Sequence, residues 1–241
     1  MREMQSPSTK FNGFADLCLM SSDLIDDAIE MGFARVGVLL KVDEFERMDE
    51  LERSASANVN FGILIETDTV SEMHKILRML RPAITRLKGL VAVRGTNPKV
   101  SRAALESRGV NMVIEPKMNH VLAGTSKKNS VAVALTLTTL LRTKGLQRVE
   151  VISDYRMCIK LWRKFGFPLL LGSGATNVYE LRTPQEFESI GSLLSLDRHE
   201  VREILSETPK KVIQKASIGI SGIELVPKTE DKKKRATSGQ S

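Results

Sequence analysis

Short apolar runs alternate with helix-like segments along this chain, and this alternation restricts the possible folds more than any other feature. Seven runs have the length and composition of strands: Phe14–Met20, Ala34–Leu40, Val59–Ile65, Leu90–Arg94, Val110–Ile114, Val131–Leu137 and Pro168–Leu171. Each run is almost continuously apolar, as is typical of parallel strands that helices cover on both faces. Strands separated by helical segments predict βαβ units and a parallel sheet.

The segments between these runs carry the start and stop signals of helices. Asn97-Pro98 places a capping residue before a proline of the first helical turn. Thr183 and Glu186 have the spacing of a capping box, with proline at the first helical position between them. We also predict a helix that begins at Asp154 and ends at Gly166, because apolar residues recur between them at helical spacing.

A closed (β/α) barrel needs eight strands, and this chain offers only the seven clear ones. Val149–Ser153 and Ile218–Val226 are the candidates for the eighth, and neither has a strong strand pattern. We therefore predict an α/β fold, a single irregular or incomplete TIM-like (β/α) barrel over residues 1–227, with an open doubly wound sheet as the alternative. Residues 228–241 are rich in Lys, Ser and Thr, and we expect a basic disordered tail there.

Charge and composition limit the class of partner and the compartment. The net charge is +7, of which the tail from Lys228 to Ser241 supplies +3. This excess favours an anionic partner such as nucleic acid, although it could also serve solubility alone. The two cysteines match no zinc or redox spacing, the N-terminus has no apolar signal core, and no apolar run reaches the roughly 18 residues of a membrane helix. These features predict a cytoplasmic protein without a membrane partner.

Barrel enzymes place their chemistry at the carboxyl ends of the strands. The residues at those positions here are Lys41, Glu66, Arg94, Glu115 and Ser173. Glu66 and Glu115 could act as an acid and base pair, or they could neutralise Lys41 and Arg94 inside the barrel mouth. We favour neutralisation, because no spacing in the sequence marks the two glutamates as a pair.

Ligands for a catalytic metal are missing from the places where a barrel hydrolase carries them. The chain has three histidines, and none has the spacing of a metal-binding pair. Barrel hydrolases of the polymerase-and-histidinol-phosphatase (PHP) kind have Asp-x-His-x-His on the first strand, where this chain has Asp16, Cys18 and Met20. We therefore predict a PHP-hydrolase-like scaffold that has no metal site and no catalytic residue of its own.

Basic residues are spread instead over the second half of the predicted barrel. Arg94 ends an otherwise apolar strand, where a guanidinium needs an anion such as a phosphate or a neighbouring glutamate. The Gly172-Ser173-Gly174-Ala175 turn could offer backbone N–H groups to an anion, whereas we interpret Lys160 and Arg163 as a solvated helix face. Because aromatic residues make up only 5% of the chain, we expect contacts to phosphates or to RNA shape rather than to stacked bases.

Several short motifs occur together in an order and spacing that are more specific than any one of them. They are Ala15-Asp16-Leu17, Val93-Arg94-Gly95, Arg102 with Val110–Pro116, Asn119-His120-Val121-Leu122, Lys128-Asn129, Ser153 with Arg156, Phe167-Pro168-Leu169, Ser173-Gly174-Ala175 and Glu180-Leu181-Arg182-Thr183-Pro184. Through these motifs the chain resembles the archaeal ribonuclease P protein component 3 family, relatives of the eukaryotic thirty-kilodalton ribonuclease P subunit. The resemblance covers roughly residues 12–226.

This resemblance implies an irregular TIM-like barrel and a subunit of the ribonucleoprotein that removes 5′ leaders from precursor tRNA. It implies that the RNA of ribonuclease P carries the active site, with magnesium required by the RNA-based holoenzyme and no cofactor bound by this chain. The implied partners are that RNA, the component 2 protein in a heterotetramer, the other protein subunits and the precursor tRNA. The chain itself would bind and stabilise the catalytic RNA.

The residues that we predict to contact RNA are Arg94, Arg102, His120, Lys128, Arg156, Ser173 and Arg182. The cations among them would bind phosphate oxygens or shape the surface that does so. Two other functions remain open. One is a metal-dependent phosphoesterase of the PHP type that uses Glu66, Glu115 and His120, and the other is a protein scaffold without RNA contact.

Overall fold

The computed structural model describes residues 11–218, and its centre is a barrel of seven parallel strands that pair in chain order. The strands are β1 (Ala15–Leu19), β2 (Arg35–Lys41), β3 (Val59–Ile65), β4 (Leu90–Arg94), β5 (Met112–Ile114), β6 (Ala132–Thr136) and β7 (Leu169–Gly172). Nearly every residue of these strands is buried, which explains why they read in the sequence as continuous apolar runs. The predicted TIM-like barrel is confirmed.

Helices connect the strands and form the outer layer. They are α1 (Ile25–Glu30), α2 (Met48–Ser54), α3 (Val70–Leu87), α4 (Pro98–Glu106), α5 (His120–Asn129), α6 (Leu137–Arg142), α7 (Gly145–Phe165), α8 (Pro184–Leu193), α9 (Arg198–Arg202) and α10 (Thr208–Ile218). The predicted caps are confirmed: the Asn97 side chain accepts from the Lys99 N–H, and Thr183 with Glu186 forms a capping box. None of the helices in residues 11–218 is long and apolar enough to span a bilayer.

Two apolar layers stabilise the barrel. The larger layer lies between the strands and the outer helices. The smaller one fills the barrel interior with side chains such as Leu39, Leu64 and Met112, and α10 adds Val212 and Ile213 to it. Because α10 also contacts β1, β4 and β7, it closes the amino-terminal end of the barrel and leaves the carboxyl-terminal end open.

The barrel has a seam between β1 and β7, where the described chain forms no strand ladder. The Asp16 carboxylate bridges this seam, since it accepts hydrogen bonds from the backbone N–H of Ser173 at 3.2 and 3.1 Å. A second bridge runs from the Met20 N–H to the Ala175 carbonyl at 2.9 Å. The two elements approach closely because Gly172 has no side chain: a Cβ there would lie 2.5 Å from Cys18 Cβ.

The candidate eighth strand Val149–Ser153 was a wrong prediction, because these residues belong to α7. The helix begins nine residues before the predicted Asp154, and its apolar face continues through Tyr155 and Trp162 at helical spacing. Of the other candidate, Ile218 ends α10 and the rest lies outside the described residues, as does the predicted tail 228–241.

Candidate nucleic-acid interface

The open end of the barrel contains a cavity of about 560 Å³. Its wall includes Glu66, Arg94 and Glu115 from the strand ends, together with Thr136 and Arg142. Arg94 Nε lies 3.0 Å from Glu66 Oε1, and Arg94 Nη1 lies 3.9 Å from Glu115 Oε2. The guanidinium at the barrel mouth therefore has internal anions, as the neutralisation hypothesis expects for Arg94.

Glu115 is the most constrained residue at this mouth. Its backbone φ is +54°, a left-handed conformation that is uncommon for a residue other than glycine. Its Oε1 accepts hydrogen bonds from the hydroxyls of Thr136 and Tyr155, both at 2.5 Å. Burial, and then the neighbouring Glu115 carboxylate, raise the pKa of Tyr155 far above its ordinary value, so this hydroxyl stays a proton donor. Ion pairs and hydrogen bonds thus join these mouth residues into one cluster.

Ser173 is fully buried beneath the mouth. Its N–H donates to Asp16, its Oγ accepts from the Ala175 N–H at 3.2 Å, and its carbonyl accepts from the Thr138 N–H and hydroxyl. Burial raises the pKa of Asp16, while hydrogen bonds from Ser173 and Cys18 act in the opposite direction. The N–H, Oγ and carbonyl of Ser173 are thus all engaged by hydrogen bonds within the chain.

Histidines and carboxylates are dispersed in residues 11–218. No group of three or more His, Cys, Asp or Glu side chains in that part of the chain is placed to hold a metal ion. Cys18, which stands where a PHP hydrolase has its first histidine of the motif, is fully buried in the barrel interior.

Positive charge is concentrated on one segment of the barrel. Residues 116–179 contain ten Lys and Arg against two acids, Glu150 and Asp154, for a net charge of +8. The whole chain has +7, so all other residues together sum to −1. This segment forms α5, α6 and α7, and α5 packs beside α7 on the outside of the barrel.

We define the basic surface as the exposed cations of this segment that form no ion pair with any residue in 11–218. They are Lys127, Lys128, Lys144, Arg148, Arg156, Lys160 and Lys164. Arg156, Lys160 and Lys164 lie four residues apart and share one side of α7. The Lys127 ammonium lies beside Gly166 at the end of the same helix. From Lys144 to Lys164 the surface is about 30 Å long, at about 1.5 Å per residue.

The structure separates the predicted site residues into two groups. Lys128 and Arg156 belong to the basic surface, and the exposed His120 stands at the start of α5, where its ring lies 5.9 Å from Phe165. The remaining residues lie elsewhere: Arg94 and Ser173 at the mouth, Arg102 on α4 and Arg182 before α8.

Partners within the chain already engage two of those outlying cations. Arg102 pairs with Glu106 one turn away at 2.9 Å. Arg182 donates to the carbonyl of Tyr179 at 2.8 Å and to that of Leu181. The RNA contacts predicted for Arg94, Arg102, Ser173 and Arg182 stay predictions, and their geometry favours structural roles.

Three basic residues of this segment were missed in the sequence: Arg142, Lys144 and Arg148. The signal that finds them is charge density along the chain, since 116–179 has ten cations and only two acids. Lys160, interpreted above as a solvated residue, is one of the unpaired cations of the basic surface. Arg163 instead pairs with Glu200 at 2.6 Å.

A family model described as RNase P subunit p30 matches residues 14–218. Component 3 of ribonuclease P from Methanothermobacter thermautotrophicus is 32% identical over 179 residues, which cover 70% of this chain and 71% of that protein. The protein of the same name from Methanococcoides burtonii is 30% identical over 201 residues, which cover 81% of each.

Solved structures share the fold. A chain in a cryo-EM structure of archaeal ribonuclease P with mature tRNA superposes with a TM-score of 0.69 at 20% identity, covering 90% of this chain and 100% of that one. The N6-methyl-AMP deaminase of Arabidopsis thaliana, in its apo structure, has a TM-score of 0.51 at 12% identity, covering 83% and 77%. The second likeness shows that this barrel architecture also occurs in an enzyme.

Proposed function

This chain belongs to the RNase P subunit p30 family, and we propose that, as a protein subunit of ribonuclease P, it binds and stabilises the RNA of that enzyme through the basic surface of α5 and α7. The ribonucleoprotein removes 5′ leaders from precursor tRNA. In this proposal the chain contributes to that reaction by holding RNA in its active shape.

The observation that carries this proposal is the segregation of charge. A segment of net charge +8 on a body of −1 is the electrostatic pattern of a protein that contacts a polyanion on one side. The seven unpaired cations are free to neutralise phosphates, because no internal carboxylate has to be displaced first. Neutralised phosphates release counterions, which makes the binding strongly dependent on salt.

The barrel mouth supports a non-catalytic role for the isolated chain. Glu66 and Glu115 both face Arg94, and Glu115 also accepts from Thr136 and Tyr155. A general base needs an acceptor that is free to take a proton from the substrate, whereas Oε1 of Glu66 and Oε1 of Glu115 already accept hydrogen bonds from within the chain. We place the chemistry in the RNA, with magnesium as a requirement of the holoenzyme, and we attribute no cofactor to this chain.

We further propose the partners that the family membership suggests. They are the RNA of ribonuclease P, the component 2 protein in a heterotetramer, the other protein subunits and the precursor tRNA, all in the cytoplasm. Light scattering of this chain mixed with the component 2 protein tests the assembly, since a heterotetramer has twice the mass of a simple heterodimer.

Reconstituted precursor-tRNA cleavage, with and without this chain, tests the function. The chain is expected to lower the magnesium needed for cleavage. The variant Lys127→Gln/Lys160→Gln/Lys164→Gln should bind the RNA more weakly and should reduce the slope of log affinity against log salt by about 2, at about 0.7 per lost phosphate contact. A matched control, Arg53→Gln/Lys75→Gln/Lys88→Gln, removes the same charge from exposed positions on α2 and around α3.

Equal effects of the two triple variants would show that only net charge matters and would remove the basic surface as the interface. No RNA binding by the wild-type chain, together with cleavage that still depends on its presence, would indicate a protein scaffold without RNA contact. Cleavage of a phosphoester by the isolated chain, lost on replacement of Glu66 and Glu115, would indicate a hydrolase.

A further inference from the structure

Tyr179 is the most exposed large apolar side chain in the described structure, with 86% of its surface accessible. It is also the only aromatic residue among the exposed large side chains of residues 11–217. The other tyrosine, Tyr155, is buried, and so is Trp162. The Tyr179 hydroxyl has no hydrogen-bond partner within the described chain, so nothing in the barrel accounts for the presence of this ring.

The backbone beneath the ring is firmly held. Tyr179 lies in the short 3₁₀ turn Val178–Glu180, where its N–H donates to the Asn177 side chain at 3.1 Å. Its carbonyl accepts from Arg182 Nη1 at 2.8 Å. The next residue but one, Leu181, is buried in the core. The ring is therefore mounted on a turn whose two ends are fixed.

Glu180 anchors the same turn to the end of α6. Its carboxylate accepts from Arg142 Nε at 2.6 Å and Nη2 at 3.0 Å, and from the N–H and hydroxyl of Thr176 at 2.9 and 3.0 Å. Although partial burial acts to raise it, these hydrogen bonds hold the pKa of Glu180 below its ordinary value. The anchor stays charged at neutral pH, and it fixes the turn before any partner arrives.

This turn stands where the basic surface meets the barrel mouth. Arg142 and Thr176, which bind Glu180, also line the mouth cavity. Two and six residues after Arg142 come Lys144 and Arg148, the first cations of the basic surface. A strand of RNA that follows this surface along α7 toward the mouth would arrive beside Tyr179.

We propose that Tyr179 is a stacking platform for one unpaired base of RNA, with the adjoining backbone phosphates held by Lys144 and Arg148. The proposal rests on the proposed function, since it needs the basic surface to bind RNA. Exposed aromatic rings combined with a basic surface are the usual arrangement for holding unstacked bases, and stacking accepts any base because each has a π face. The proposal differs, at one position, from the expectation of contacts to phosphates or to RNA shape rather than to stacked bases.

A protein partner is the competing occupant of this ring, and the surrounding charge argues against it. Protein interfaces are enriched in tyrosine and arginine but depleted of lysine, so Tyr179 fits either occupant and the charge of Lys144 and Arg148 decides between them. Those two cations form no ion pair within the described chain, so they would enter a protein interface unneutralised. Phosphates on either side of a stacked base would neutralise both.

Affinity measurements on the full chain and a ribonuclease P RNA transcript test the proposal. Tyr179→Ala should weaken binding about 5- to 150-fold, the range found for one lost base stack, with an unchanged salt slope because no charge is lost. Tyr179→Phe should bind within about threefold of the wild type, because it keeps the ring. Leu146→Ala is the control, since Leu146 is 81% exposed in the first turn of α7 but has no ring to stack.

A fluorescent variant locates the contact independently of affinity. Tyr179→Trp places an indole in solvent, whereas the native Trp162 is buried. Its emission should be quenched on titration with the RNA at saturating concentration, and the emission of the parent chain should change much less. If RNA quenches the emission of Tyr179→Trp no more than that of the parent chain, the base contact is wrong.

Two further outcomes distinguish this proposal from the proposed function. If Tyr179→Ala binds like the wild type while the triple lysine variant is weakened, the base platform is wrong and the basic surface stands. If Tyr179→Ala keeps its RNA affinity but loses a protein subunit from the reconstituted particle, the ring is a protein contact and the platform is likewise wrong. If neither variant changes RNA affinity, the proposed function fails as well.

Discussion

The Asp16 carboxylate on β1 holds the backbone N–H of Ser173, across the one side of the barrel where the described strands form no ladder. The distances are 3.2 and 3.1 Å, and the same carboxylate accepts the Cys18 N–H at 3.0 Å. A side chain thus replaces the hydrogen bonds that an eighth strand would supply. This explains how an incomplete barrel can have a fully buried first strand.

Replacing Asp16 should destabilise the fold without removing any exposed group. Asp16→Ala leaves two buried N–H donors without an acceptor, and each such donor costs about 1–3 kcal/mol. Asp16→Asn should lose less, because its amide oxygen still accepts. Urea denaturation measures both free energies of unfolding, and equal stability of Asp16→Ala and the wild type would contradict the bridge.

Gly172→Ala should be destabilising by about 1–3 kcal/mol, the usual cost of overpacking a filled interior. The new methyl group would lie 2.5 Å from Cys18 Cβ and 3.0 Å from Asp16 Oδ1. Gly124→Ala is the matched control, because a Cβ at this position of α5 meets nothing within 4 Å. There we expect a gain of about 0.5–1 kcal/mol from helix propensity, and thermal unfolding compares the two variants.

Lys215 should make stability depend on pH on the alkaline side. Its ammonium reaches the carbonyls of Val110, Asn129 and Ser130 from α10, and burial lowers the pKa of Lys215 from 10.5 to about 8. Between the folded pKa and the unfolded pKa the unfolded chain binds more protons than the folded one, so stability should rise from about pH 8 to about pH 10.5. Below about pH 8 Lys215 is protonated in both the folded and the unfolded chain, so it does not make the free energy of unfolding depend on pH.

The rise should be absent in Lys215→Met and present in Lys211→Met, whose side chain is exposed on the same helix. Urea midpoints at several pH values in that window measure it. A falling midpoint in the wild type would show that the carbonyl acceptors outweigh burial and keep Lys215 charged.

Arg94→Gln should lower stability more than RNA affinity. The substitution leaves Glu115, with only 18% of its side chain exposed, without its cation, and we expect a loss of about 1–2 kcal/mol, between the values for exposed and buried pairs. A double-mutant cycle with Glu66→Gln should recover part of that loss. Weakened RNA binding with a smaller salt slope would instead support the direct phosphate contact predicted from the sequence.

Much of the fold could be predicted from the sequence, because helices cover each strand and make it uniformly apolar. The strand β3 was predicted with its bounds Val59–Ile65 unchanged. The predicted helix was shorter than α7. The first two turns of α7 begin with Gly145 and consist of exposed residues, so the sequence has no apolar periodicity there. The closure of the barrel by α10 could not be predicted, because Val212 and Ile213 pack against residues of several strands that are distant in the sequence.

The candidate site was harder to predict, because the role of a cation depends on what faces it. Arg94 and Arg156 look alike in the sequence, yet the first meets two glutamates and the second donates to the Leu193 carbonyl on an exposed helix. Ser173 lies in a glycine-rich turn that resembles a phosphate-binding turn in the sequence. In the structure it is buried, and its N–H donates to Asp16 across the seam. Local motifs do not distinguish a structural role from an RNA contact at these positions, whereas the charge summed over 116–179 marks the basic surface.

The separation of charge between residues 116–179 and the remaining chain also affects how the protein meets its partner. Residues 11–115 and 180–218 have a net charge of −4, against +8 for residues 116–179. This separation produces a large electric dipole in the described molecule, and the field of a polyanion turns such a dipole as the protein diffuses closer. The molecule would then arrive with α7 foremost before any short-range contact forms. In that case orientation is selected during the encounter itself, and the order in which subunits join the particle would respond to ionic strength.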